Sequence, residues 1–180
     1  MERALVERAW SGDRAAFDSL VRSRIDAMYR ISLAILGDEA DAADAVQETF
    51  VSAWRHRTAL RDPDLFDAWL GRINLNACRA QLRRRGRRRV RELRLPGPDE
   101  GSEPASTERA LDALTADADL FDRAFARLPV DHRAILVLHH LQERPVAEIA
   151  AVLDVPEGTV KSRLHRARAA LESALAKESR

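Results

Sequence analysis

Cysteine is nearly absent from this chain of 180 residues: the only one, Cys78, has no partner for an intramolecular disulfide. Nothing in the sequence has Cys/His zinc spacing, so disulfide scaffolds and zinc modules are both excluded, and Cys78 is expected to pack as a small hydrophobe within a helix. Glycine is scarce, with 7, and tyrosine occurs once, which leaves β-rich folds without their usual turn and strand residues. No apolar run approaches the roughly 20 residues needed to cross a bilayer. Glu2 and Arg3 put charge where a secretory leader would build its apolar stretch. The protein is therefore expected in the cytoplasm, without membrane insertion.

What is present is helical. With 46% hydrophobic and 33% charged residues, the composition predicts an all-α protein of one or two small domains. A formal net charge of +1 conceals strong segregation. Arg83, Arg84, Arg85, Arg87, Arg88, Arg89 and Arg91 crowd one stretch; Asp99, Glu100, Glu103, Glu108, Asp112, Asp117, Asp119 and Asp122 dominate the next. Blocks of opposite sign assign separate tasks to separate segments.

Helical spacing organises residues 1–94 into a first domain. Leu5, Ala9 and Trp10 start one helix, and a buried stripe runs through Phe17, Leu20, Val21, Ile25, Met28, Tyr29, Leu33 and Leu36 in a second. Gly37 breaks that helix and Asp38 caps a third, in which Val46, Phe50 and Trp54 fall at i, i+4 and i+8 while Asp41, Asp44 and Glu48 mark a separate face. After a turn through Arg61, Asp62, Pro63 and Asp64, a fourth helix carries Phe66, Trp69, Leu70, Ile73, Ala77 and Leu82 before it dissolves into arginines.

Residues 95–110, with Pro96, Gly97, Pro98, Gly101 and Pro104, read as a flexible acidic linker too polar to order itself. About 15 residues extend to at most about 50 Å, enough to let one chain hold two DNA sites more than a turn of about 34 Å apart. A second domain follows at 111–180. Leu120, Phe121, Ala124, Phe125 and Leu128 form an apolar stripe ended by Pro129, and the segment from Ile135 to Leu141 is apolar nearly all round, which makes it central to a second core.

The most telling segment lies near the end. A short helix entered through Pro145 and carrying Ile149, Ala150 and Leu153, a break at Pro156 and Gly158, and a basic helix with Val160 and Leu164 inward form a helix-turn-helix. Lys161, Ser162, Arg163 and Arg166 stay off the apolar stripe, where arginine can fork onto guanine edges and lysine or serine can reach phosphates. His139 and His140 are adjacent and point apart, and no nucleophile is paired with a base. Neither a metal site, a cofactor nor catalysis is expected.

Three runs in order, Asp41-Ala42-Ala43-Asp44-Ala45-Val46-Gln47-Glu48-Thr49-Phe50, Phe66-Asp67-Ala68-Trp69-Leu70-Gly71-Arg72-Ile73-Asn74-Leu75-Asn76 and Pro156-Glu157-Gly158-Thr159-Val160-Lys161-Ser162-Arg163-Leu164, resemble the bacterial extracytoplasmic-function sigma factors. The resemblance implies a sigma-two and a sigma-four domain that bind core RNA polymerase and direct it to promoter DNA, and an anti-sigma factor as a further partner. It implies polymerase docking by Asp41, Asp44, Gln47, Glu48 and Phe50. It implies minus-10 recognition by the turn between Trp54 and Phe66 with Arg72 and Asn76, aided by phosphate attraction at Arg83 and Arg84. Minus-35 recognition falls to Thr159, Lys161, Ser162, Arg163 and Arg166. Asp154 departs from the family pattern, in which glycine is frequent at that turn position; aspartate tolerates a left-handed backbone better than most residues.

Two other classes stay open on the residues alone. A conventional regulator would bind an operator without polymerase through the same helix-turn-helix, and a polymerase-binding adaptor would use the acidic helix without reading bases.

Overall fold

The computed structural model describes residues 2–92 and 113–179; the linker expected at 95–110 lies outside them. The first module is built from α1 (Glu2–Trp10), α2 (Arg14–Leu36), α3 (Glu39–Arg55) and α4 (Phe66–Glu92), and the second from α5 (Ala113–Ala126), α6 (Val130–Leu136), α7 (Val146–Leu153) and α8 (Glu157–Glu178). No strand occurs among the described residues, and none of their helices is long and apolar enough to cross a membrane.

Local chemistry sets the helix ends. Asp13 accepts a hydrogen bond from the Ala16 amide at 3.1 Å to start α2, and Asp38 does the same for Asp41 at 2.8 Å to start α3. Each satisfies an amide that the first turn leaves without a partner. Gly37 closes α2 with φ 68°, a conformation that glycine adopts without penalty. The fourth helix departs from expectation. It does not dissolve at the arginines but continues through them to Glu92, because arginine is a good helix former and the turn before it is already nucleated.

The first core gathers Val6, Leu20, Ile35, Val46, Leu70 and Cys78. Edge-on contacts of Trp10 with Phe66 and Trp69, at 5.7 and 5.6 Å between ring centres, pin α1 onto α4. A polar node sits within this apolar packing. Asn74 Oδ1 accepts from Ser32 Oγ at 3.0 Å, and Thr49 divides its one hydroxyl hydrogen between Asn74 Oδ1 at 3.0 Å and the Ala45 carbonyl at 2.6 Å. All three side chains are buried, so the node fixes the mutual rotation of α2, α3 and α4. Cys78 is fully buried and its thiol lies 3.5 Å from Ser32 Oγ. Burial pushes that thiol above its ordinary range, so it stays protonated.

The second core, around Ile135, Leu138, Ile149, Val152, Val160 and Leu164, is not sealed off from the first. Ala134 and Val137 join the first core, with Phe125, Val130 and Leu153 packed against it. The all-round apolar character of this segment therefore reflects two cores on two sides of one helix. Its end is less central than expected: after Val137 the chain widens into a π-turn, Val137–Leu141, which leaves Leu141 57% exposed.

Replacing Asn74 by alanine leaves the buried Ser32 hydroxyl without its acceptor and is expected to destabilise the first module by about 1–3 kcal/mol. Thiol labelling of Cys78 reads this directly, because a protonated buried thiol reacts only when the module opens. Asn74→Ala should label faster in native buffer, and an unchanged rate and melting temperature would exclude the node as a stabilising element.

Candidate nucleic-acid interface

The helix-turn-helix forms as the sequence requires, with one shift. Pro145 is the residue before the first turn of α7, not inside it, and its carbonyl accepts from the Ile149 amide at 3.1 Å. Asp154 ends α7 in the left-handed conformation, φ 56°, and the Val155 amide returns to the Ala150 carbonyl at 3.1 Å. Pro156 then leads into α8, whose Val160 and Leu164 are buried against Ile149 and Val152. Lys161, Ser162 and Arg166 face solvent, while Thr159 and Arg163 are half-buried. Ser162 Oγ donates to the Thr159 carbonyl at 3.0 Å, and Arg166 Nε to the Ser162 carbonyl at 3.3 Å. The helix thus presents a short cationic face, pre-arranged on a rigid support.

On α4, Arg72 and Asn76 lie one turn apart, with Asn76 exposed and Arg72 half-buried. Arg72 is occupied: its Nη1 donates to Asp154 Oδ2 at 3.0 Å and its Nη2 to the Ala151 carbonyl at 2.9 Å. Asn76 Oδ1 accepts from Arg79 Nη1 at 2.9 Å, and Arg79 also holds Asp131 Oδ1 through Nε and Nη2, at 2.9 and 2.7 Å. Nothing in the sequence pattern marks Arg79, although its place three residues after Asn76 puts it on the same face. Arg83 and Arg84 project into solvent beyond it.

The turn between Trp54 and Phe66 is more ordered than a loose loop. Two single 3-10 turns, Arg57–Ala59 and Pro63–Leu65, flank Leu60, which is buried in the first core. Arg57 lies over the Trp54 ring, 4.6 Å from its centre, and donates to the Trp54 carbonyl at 3.0 Å.

The acidic face of α3 divides. Asp44, Gln47 and Glu48 are exposed, Asp41 is partly covered with Arg85 3.8 Å away, and Phe50, at 9% exposure, belongs to the core. An apolar groove of about 530 Å³ runs beside Phe121, Phe125, Leu141, Leu171 and Leu175 of the second module, bordered by Ala34 of α2. Phe121 stacks on Phe125 and remains 43% exposed. Among the described residues, no group of three or more His, Cys, Asp or Glu side chains could hold a metal ion.

Two helical modules, one ending in an arginine-rich helix and the other in a helix-turn-helix with an exposed basic face, define a DNA-binding transcription protein. Comparison with known proteins gives its family. Residues 20–88 match Sigma-70 region 2 and residues 118–171 match Sigma-70, region 4. The ECF RNA polymerase sigma factor SigM of Mycobacterium tuberculosis is 38% identical, over 89% of this chain and 78% of its own. The RNA polymerase sigma-H factor of Pseudomonas aeruginosa is 33% identical, over 97% of this chain and 93% of its own. The ECF RNA polymerase sigma factor SigE of Mycolicibacterium smegmatis is 38% identical over 94% of this chain, which spans 66% of that longer protein. Among solved structures, CnrH in complex with the cytosolic domain of CnrY superposes with a TM-score of 0.69 at 29% identity, covering 98% of this chain and 97% of that one. RpoE of Bartonella quintana, in complex with the anti-sigma factor NepR, superposes with 0.63 at 26%, covering 89% and 96%. The chain belongs to the extracytoplasmic-function sigma factors of RNA polymerase.

Proposed function

We propose that this sigma factor divides its work along the chain. Residues 1–94 would bind core polymerase and the minus-10 element, 111–180 would read the minus-35 element, and 95–110 would tether the two. The observation that carries the reading is that the region 2 and region 4 matches fall on separate modules, each with its own solvent-facing cationic surface.

Polymerase docking is assigned to the exposed Asp44, Gln47 and Glu48 with the neighbouring Asp41, a carboxylate-rich face suited to a basic partner surface. Phe50 supports that face from beneath, since a buried ring offers a partner no contact area. Minus-10 recognition is assigned to Arg72 and Asn76 beside the turn around Leu60. A base drawn out of the stack needs hydrogen-bonding groups held by a rigid helix. Arg83 and Arg84 would neutralise phosphates and raise the salt dependence of binding. Minus-35 recognition is assigned to Lys161, Ser162 and Arg166, with Thr159 and Arg163 nearer the backbone of the duplex. The bond-making chemistry would be the polymerase's own, and the chain would act in the cytoplasm, where the polymerase and promoters are.

An anti-sigma factor is proposed as regulator. Two solved relatives of this fold are held by CnrY and by the anti-sigma factor NepR, and the groove beside Phe121 and Leu141 is an exposed apolar surface of the kind that partner helices cover.

In-vitro transcription with purified core polymerase on a genomic fragment library tests the whole assignment: specific transcripts should appear only when the chain is added. In the same assay Arg166→Ala should weaken recognition at one minus-35 base pair by about 1–3 kcal/mol while polymerase binding persists. Equal loss of polymerase binding would defeat that division of labour. Charge reversal by Asp44→Lys with Glu48→Lys should do the converse, abolishing co-elution with core polymerase but leaving the melting temperature in place. Arg83→Ala with Arg84→Ala should lower the slope of log affinity against log salt by about one for each phosphate no longer neutralised, measured by fluorescence anisotropy on promoter DNA.

A further inference from the structure

We propose that the two modules close on each other in the free protein through a seam that takes Arg72 away from promoter DNA, so that closure and promoter engagement exclude one another. The inference rests on the sigma-factor reading above.

Each module caps a helix of the other. The Ala151 carbonyl is one of those that the last turn of α7 leaves without an amide partner, and it accepts from Arg72 Nη2 at 2.9 Å. The Ile35 carbonyl stands at the end of α2 in the same condition, and it accepts from Arg133 Nη1 at 2.7 Å. Arginine at a helix C-terminus meets both an unpaired carbonyl and the negative end of the dipole. Arg133 is only 8% exposed, and its described bonds are to backbone carbonyls, the second to Leu128 at 3.1 Å. A guanidinium buried in this way is tolerable only while the other module supplies its acceptor.

Between the caps the surfaces meet closely. A Cβ built on Gly71 of α4 would lie 3.3 Å from Val152 Cγ2 and 4.0 Å from Val152 Cβ. Beside that contact, Ile31, Ile35, Leu75, Ala134 and Leu138 enclose only about 10 Å³ of free space, too little to hold more than a single water. Gly71 is helical, where alanine would be the better helix former; its missing side chain serves the approach of α7.

Asp154 gains an explanation here. Glycine would relax its positive φ, so the turn alone gives no reason for a carboxylate. The carboxylate instead accepts from Arg72 Nη1 at 3.0 Å, across the seam. Lys161, Ser162 and Arg166 remain solvent-facing, so closure does not cover the recognition helix. It engages both terminal nitrogens of Arg72 and holds the modules side by side, which prevents them from straddling sites more than a DNA turn apart. The ion pairs at the rim, Arg72 with Asp154 and Arg79 with Asp131, are partly exposed and therefore weak and salt-sensitive. A seam of this make-up can be opened by polymerase and promoter binding that favour the extended form.

The 4.0 Å Cβ spacing fits a disulfide, which supplies the test. In the full chain carrying Gly71→Cys with Val152→Cys, mild oxidation should join the two positions. The buried Cys78 should take no part. The oxidised chain should lose promoter-specific transcription with core polymerase by about tenfold or more, and dithiothreitol should restore it. Asp154→Gly, which relaxes the turn while removing the carboxylate, should enlarge the radius of gyration of the free protein in small-angle scattering at unchanged helicity. Failure of the cysteines to join in the free chain, or transcription by the joined chain equal to that of the reduced one, would overturn the seam. A wild-type chain that recruits no polymerase would instead overturn the sigma-factor reading, whichever way the crosslink falls.

Discussion

The rotation of α4 about its axis, set by the buried contact of Asn74 with Ser32 and Thr49, determines what the first module can present. At about 100° per residue, Arg72, Asn76, Arg79 and Arg83 all fall within roughly 140–200° of Asn74, on the opposite side of the helix. One polar anchor in the core thus aims a single stripe of donors outward. The first two turns of that stripe carry Arg72, Asn76 and Arg79, two of which reach the second module; further along, Arg83 is free of the seam and faces solvent. A helix slipped by one residue would bury a guanidinium and expose the asparagine, so the anchor and the stripe stand or fall together.

The sequence made the helix ends and the DNA-reading motif legible because their causes are local. Asp13, Gly37, Asp38 and Pro129 act on the residues beside them, and the pattern of Ile149, Val160 and Leu164 needs only two short helices to be recognised. Periodicity reports that a residue faces inward without reporting which interior it faces. Ala134 and Val137 turn to the first core while Ile135 and Leu138 turn to the second, and in the sequence the four differ only in position. Arg133 was equally opaque. One arginine among many gives no sign that two carbonyls, one of them 98 residues away in the chain, await it. The persistence of α4 through its arginines is hidden for a related reason: a run of arginines reads as the end of the apolar pattern, whereas the helix is already nucleated by the packed turns before it.

The candidate sites show the same boundary between local and distant causes. Spacing alone places Asp44 and Glu48 on one exposed face and Lys161, Ser162 and Arg166 on another. The family resemblance groups Gln47 and Phe50 with the docking residues, but for Phe50 the i, i+4 stripe shared with Val46 is the stronger signal: Phe50 is a core residue. The family resemblance names Asn76, but nothing in the sequence points to Arg79, which holds it, since Arg79 is itself held by Asp131 on the second module. A contact between modules leaves no trace in the periodicity of either.

Charge and shape then act on different parts of the same encounter. On the proposed reading, Arg83 and Arg84, which are exposed beyond the seam, would attract phosphate whether the modules are open or closed, so a closed chain would still accumulate near DNA. What it lacks is Arg72, both of whose terminal nitrogens are hydrogen-bonded in the seam, and the separation of its two modules. On that reading, sequence-independent attraction would precede readout, and the step between them would be the transfer of one guanidinium from a helix end and a carboxylate to nucleic acid. Raised salt weakens both sides of that exchange. The buried part of the seam, Val152 on Gly71 and Arg133 on the end of α2, is screened least, so salt should disfavour promoter engagement more than it disfavours closure.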